Sequence, residues 1–215
     1  MEAAKTHLIE VVCTGNNGRS PMAEVIGNHT SNEMGLEGKL HFISSGTKAA
    51  PDHDNELPYE KASSILKMGS SHGLINPIEV DKQRYENDPD YNSAIKAKVQ
   101  MALSIMRPIE TALRNAALFD IGLRCYGERM QTKPRDDVSL VLGMEQKHVS
   151  DVEKIYYLGR DTKPQIATIT GYAGIEGNIP DALGNTDPKI YKQARDKLIE
   201  AMPLVISRFR EEHRL

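Results

Sequence analysis

The part of this chain that most restricts its fold lies near the start, where Leu8-Ile9-Glu10-Val11-Val12 runs straight into Cys13-Thr14-Gly15-Asn16-Asn17-Gly18-Arg19-Ser20-Pro21. A short β-branched run that stops at a polar, glycine-containing loop reads as a buried strand entering a functional turn. Beyond the loop, Ser20 suits a helix N-cap, Pro21 the first helical position and Ala23-Glu24 the first turn. Strand, loop and helix start together form the first half of a parallel α/β unit. Further strands are predicted at 40–44, 138–142 and 165–169, and a helix at 59–68 that stops near Gly69. A final helix of about 25 residues opens at Asp187-Pro188. Strands alternating with helices predict an α/β fold, a doubly wound parallel sheet of about four strands with flanking helices. The reading is a single domain over 1–215. A helical insertion at 75–135 is expected within it, as two helices broken near Pro108 and laid over the core as a hairpin.

The loop has a chemical reading of its own. A thiol of ordinary pKa, about 8.5, is mostly protonated at neutral pH and is then a poor nucleophile. A helix start aims its partial positive charge and unpaired N–H groups back across the loop, making an anion site. Arg19 adds a planar fork suited to two phosphoryl oxygens, and the Ser20 hydroxyl can donate to the sulfur. Gly15, Gly18, Asn16 and Asn17 tolerate the positive φ and crowding that inward-pointing N–H groups impose. C-x5-R alone is a weak pattern, and the alternative for Cys13 is an inert, buried strand-end thiol. Placed after a strand, filled with Gly and Asn and feeding Ser-Pro into a helix, the pattern points to phosphomonoester hydrolysis. Cys13 is then the nucleophile, and Thr14, Gly15, Asn16, Asn17, Gly18, Arg19 and Ser20 form the phosphate cradle.

Val12 to Glu24 resembles the N-terminal signature of the low-molecular-weight protein tyrosine phosphatase family. Ser44-Ser45-Gly46-Thr47 is similar to the turn after that family's second strand, and 137–144 resembles its third strand. Ile179-Pro180-Asp181-Ala182-Leu183-Gly184 lies where the family places its general-acid loop. The resemblance covers about 7–72 and 136–213; the segment 75–135 has no recognised counterpart. It implies a phosphocysteine mechanism: Cys13 attacks phosphorus, Arg19 holds the equatorial oxygens, and Asp181 first protonates the leaving oxygen and then activates water. It also implies that Asn16 stabilises the loop with Ser44 as its partner, and that no metal or organic cofactor takes part. Three departures stand out. Gly18 replaces the cysteine that usually precedes the arginine, so only Cys125 could form a protective disulfide. Asp181-Ala182-Leu183 replaces Asp-Pro-aromatic, which leaves Asp187 as the alternative acid, against its simpler role as a helix cap. Lys48-Ala49-Ala50-Pro51 lacks the aromatic that commonly walls the cleft. The stretch 190–198 and Cys13-Thr14-Gly15-Asn16 look closest to the phosphoarginine branch, although that branch favours Thr where this chain has Asn17.

The remaining sequence bounds the alternatives. Two cysteines do not make a disulfide framework, and no secretory signal or apolar run of membrane-spanning length is present, so a cytoplasmic setting is expected. A net charge of −3 gives no global field toward nucleic acid or anionic membrane. The expected partner is a phosphorylated protein or a small aryl phosphate; oligomeric state is left open. Competing classes are a phosphoarginine phosphatase, an arsenate reductase, which needs two further cysteines where this chain has only Cys125, and a non-catalytic phosphate-binding module. His53, His72 and His148 read as scattered surface or helix-end residues rather than a metal set. Asp52-His53-Asp54 reads as a solvated loop or a charged cleft rim. Tyr85, Tyr91 and Tyr126 are weighed as a substitute aromatic wall against ordinary packing of the insertion.

Overall fold

The computed structural model describes residues 6–49, 57–127, 129–157, 163–182 and 185–215. Four strands, β1 (His7–Cys13), β2 (Leu40–Gly46), β3 (Val138–Gly143) and β4 (Gln165–Thr168), form one parallel sheet in the order β2-β1-β3-β4. Seven helices are described: α1 (Arg19–Glu33), α2 (Tyr59–Ser71), α3 (Lys82–Asn87), α4 (Pro89–Phe119), α5 (Gln146–Tyr157), α6 (Ile169–Ala173) and α7 (Pro188–His213). The strand order reverses between β1 and β3, and at such a point the loops leaving the two carboxyl ends diverge and open a crevice. Cys13 ends β1 at that crevice.

Alternation along the strands divides the core between two faces. Ile9, Val11, Leu140 and Leu142 join Met22, Ala23 and Ile26 of α1 and Ala194, Leu198, Met202 and Phe209 of α7. Val12 and Val141 face the other way, onto Val152 and Tyr156 of α5. The second face also buries Glu10, whose carboxylate accepts hydrogen bonds from Ser45 and Tyr156. Burial pushes the Glu10 carboxyl above the ordinary range despite those bonds.

A second apolar cluster lies apart from both, where Leu57, Ala62, Ile65 and Leu66 meet Tyr85, Ile95, Val99, Leu103 and Met106. It does not match the expected broken hairpin, because α4 continues through Pro108 as one helix of 31 residues. Its buried positions Ile95, Val99, Ala102, Met106, Glu110, Arg114 and Ala117 recur every three or four residues on one stripe. The first half of that stripe fills the second cluster, while Ala117 and Leu118 enter the main core. Burial at both ends outweighs the roughly 3 kcal/mol that an internal proline costs. Gly69 likewise lies inside α2, which ends at Ser71 with His72 as its C-cap, followed by Gly73 with φ 68°.

At Asp187 the local reading holds: its carboxylate accepts from the Lys189 N–H at 2.9 Å and caps α7, with Pro188 in the first turn. Asp187→Ala is therefore expected to lower stability by about 1 kcal/mol, seen as a lower urea midpoint at unchanged slope.

Candidate active site

The loop from Cys13 to α1 is held by its acceptors and leaves its donors unused. The carbonyl of Cys13 accepts from Thr47 N–H at 3.0 Å and that of Thr14 from Lys48 N–H at 2.8 Å. The Gly15 carbonyl takes Arg129 Nε at 2.8 Å, and the Asn17 carbonyl takes an Arg114 guanidinium nitrogen at 2.6 Å. Among the described residues, no backbone N–H from Thr14 to Ser20 donates a hydrogen bond to another protein atom. Buried backbone donors are rarely left unpaired, and a run of them at a helix start has the chemistry to accept an anion.

Positive φ is confined to Asn16 in this loop, at 49°. Of the four residues expected to tolerate it, Asn16 adopts it, whereas Gly18 acts through the space it leaves. An added Cβ at Gly18 would fall 2.4 Å from Glu110 Oε1. Beside the loop, a Cβ on Gly46 would fall 2.7 Å from Asn16 N and 2.8 Å from the Thr14 carbonyl oxygen. Asn16 Nδ2 donates to Ser44 Oγ at 2.9 Å and Ser20 Oγ at 3.1 Å, and its Oδ1 accepts from Met130 N–H at 2.7 Å. Ser20 does not cap α1, which opens at Arg19 after Gly18. Its hydroxyl turns back instead, 3.0 Å from Cys13 Sγ and 3.0 Å from the Ser45 carbonyl that it donates to.

Arg19 is 6% exposed and its fork is engaged at both ends. One nitrogen donates to Glu145 Oε1 at 2.7 Å, and the other lies 2.9 Å from Asp181 Oδ2. Burial works against the charge on Glu145, yet the bonds from Arg19 and Lys147 prevail and hold its carboxyl below the usual range. Asp181 thus stands beside the loop, whereas Asp187 is spent at the α7 cap. Leu183 and Gly184 of the expected acid loop, and Ala50, Pro51, Asp52, His53 and Asp54, lie outside the described residues.

Sequence reasoning missed several side chains around this loop. His148, expected at the surface or a helix end, stands in the first turn of α5 but is fully buried, with Nε2 3.0 Å from Thr14 Oγ1. Burial, seconded by the charge of Arg19, brings its pKa down to about 4. Glu110, Thr111 and Arg114 reach the loop from α4: Asn17 Nδ2 donates to Glu110 Oε2 at 2.7 Å, and Thr111 Oγ1 donates to Asn17 Oδ1 at 2.9 Å. The available signal was two charged residues, Glu110 and Arg114, standing where the α4 stripe calls for apolar ones. The cleft above the loop, about 350 Å³, is walled by Ile65, Met68, Leu103 and Met106 rather than by an aromatic ring. The three tyrosines weighed for that wall are elsewhere. Tyr85 is in the second cluster bonded to the Leu57 carbonyl, Tyr91 packs on Arg84, and Tyr126 is 80% exposed. Cys125 is a free, buried thiol, as is Cys13. Among the described residues no cluster of three or more metal-ligating side chains occurs, and no helix is long and apolar enough to cross a membrane.

The parallel sheet thus delivers the Cys13 thiol and Arg19 to one run of unused backbone donors. The family model for low molecular weight phosphotyrosine protein phosphatase matches residues 8–88, running past residue 72, where the recognised resemblance paused. A YwlE mutant from Bacillus subtilis shares the fold with TM-score 0.60 at 21% identity, over 95% of this chain and 99% of that one. YwlE arginine phosphatase from Geobacillus stearothermophilus gives 0.58 at 19%, over 96% and 94%. Vibrio vulnificus Wzb in complex with benzylphosphonate gives 0.55 at 16%, over 92% and 95%. No curated protein matches. The chain is thus similar to the low molecular weight phosphotyrosine protein phosphatases over its N-terminal part and shares the fold of these solved structures over nearly its whole length.

His148 yields a test with a definite sign. Its proton is bound near pH 6.5 in the unfolded chain but only near pH 4 in the fold, so the unfolded state binds more protons between those values. Stability is then full above about pH 6.5 and falls as pH drops toward 4, by about 2 kcal/mol at pH 5 from this residue. Urea unfolding at pH 7 and pH 5 is expected to show a smaller loss in His148→Gln than in wild type.

Proposed function

We propose that the chain hydrolyses phosphotyrosine-type phosphomonoesters on proteins through a phosphocysteine intermediate. The observation that supports this best is the loop polarity: paired carbonyls outside, unused N–H donors from Thr14 to Ser20, and Cys13 Sγ at the base. Cys13 attacks phosphorus while the loop amides and Arg19 hold the three equatorial oxygens, whose charge is stabilised throughout the transfer. Ser20 Oγ, 3.0 Å from the sulfur, turns its one proton from the Ser45 carbonyl to the thiolate as it forms and again when the thiolate departs from the phosphocysteine. Asp181 lies 2.9 Å from Arg19. A phosphoryl dianion competes for that fork and releases the Asp181 carboxyl to act as the acid that protonates the leaving oxygen. The same carboxylate then takes a proton from water in the second step. No metal or organic cofactor enters this scheme.

A second reading is a phosphoarginine phosphatase. The cleft is lined by Glu110, Asp151 and Asp181 together with Lys48, Lys61, Arg107, Arg129 and Lys147, without an aromatic wall; the three carboxylates favour a cationic guanidinium leaving group, and the basic residues work against it. Arsenate reduction is disfavoured, because Cys125 is the only second thiol available for a relay.

The test is hydrolysis of an aryl phosphate, a phosphotyrosine peptide and a phosphoarginine peptide. Cys13→Ser is expected to abolish all turnover. Asp181→Ala is expected to lower kcat by about 10²–10⁴-fold, most for poor leaving groups, and Asp187→Ala to leave kcat essentially unchanged. Turnover of the phosphoarginine peptide alone selects the second reading, and failure on all three substrates removes both.

A further inference from the structure

Glu110 is a buried carboxylate that the reaction above does not use. It is 7% exposed, it accepts from Asn17 of the loop, and its Oε1 occupies the space beside Gly18. Every element packed around it brings charge or polarity. From the loop and α1 come Asn17 and Arg19; from α4 itself come Arg114 and the Arg107 carbonyl, which shares Asn17 Nδ2 at 3.0 Å. Asp181 faces it from the segment before α7, and Tyr191 from α7.

Resting on the phosphate-cradle reading, we propose that Glu110 is a positioning residue that takes up a proton when a tetrahedral dianion fills the loop. Two like charges in a poorly solvated site repel strongly. A dianion in the cradle also engages Arg19, which with the larger influence of Arg114 supports an ionised Glu110, and so weakens that support. Burial already places its carboxyl above the ordinary range, with the nearby Asp181 adding to it against the bond from Asn17. Protonation leaves one Glu110 oxygen free to go on accepting from Asn17 Nδ2, so the loop keeps its brace while the site sheds a negative charge. Anion affinity then falls as pH rises, because each binding event must draw a proton onto this side chain.

The probe is sulfate, a tetrahedral dianion that does not itself titrate near neutral pH. Calorimetric titration at pH 7 in buffers of different ionisation enthalpy gives the protons taken up per sulfate bound. Wild type is expected to take up roughly half a proton or more beyond Glu110→Gln, whose amide oxygen can still accept from Asn17. Equal uptake in the two proteins overturns the proposal. Absence of sulfate binding to wild type overturns the cradle reading and the proposal together. An infrared difference spectrum of wild type with and without sulfate serves if Glu110→Gln does not fold. Gain of a protonated-carboxyl band supports the proposal, and no gain overturns it. Where the variant folds, a band that persists in it belongs to another carboxyl and also overturns the proposal.

Discussion

A loop that turns its backbone donors toward a ligand cannot hold itself in shape with them. Its conformation has to be imposed from outside, through its carbonyls and side chains, and much of this molecule is arranged to do so. Thr47 and Lys48 after β2 fix the Cys13 and Thr14 carbonyls, Arg129 fixes Gly15, and Arg114 fixes Asn17. Asn16 ties the left-handed kink to Ser44, Ser20 and Met130. Because backbone donors left unpaired in a protein interior are costly, the loop is a place where stability has been conceded, as the proposed phosphate cradle requires.

The helical segment after residue 75 is part of this external frame. Its long helix α4 spans two apolar clusters, and between them it presents Glu110, Thr111 and Arg114 to one loop residue, Asn17. The same helix supplies Leu103 and Met106 to the cleft wall. An addition to an α/β core that only covered its surface would not need buried charge on its inner stripe. Here the charge is spent on the carbonyl and side-chain amide of Asn17.

The central unit was legible in the sequence because local rules and chemistry agree there. β-Branched residues define β1, and the types at 13–20 answer one electrostatic demand. Asp187-Pro188 read correctly as a cap because that interaction spans two residues. What escaped depended on distance in sequence. Nothing near Pro108 reveals that both halves of α4 find cores to enter, so the proline read as a break. His148 and Glu110 lie more than ninety positions from the loop residues they touch, and their burial follows from sheet order and helix packing. Ser20 was misplaced by two residues because its hydroxyl serves the thiol rather than a helix end, a competition that propensity cannot see.

Gly18 and Glu110 occupy what is in effect a single volume. A side chain added at 18 would fall 2.4 Å from Glu110 Oε1, the far end of a flexible side chain that would have to turn aside and disturb its bond to Asn17. The room available inside this loop is in that sense set by a residue more than ninety positions away.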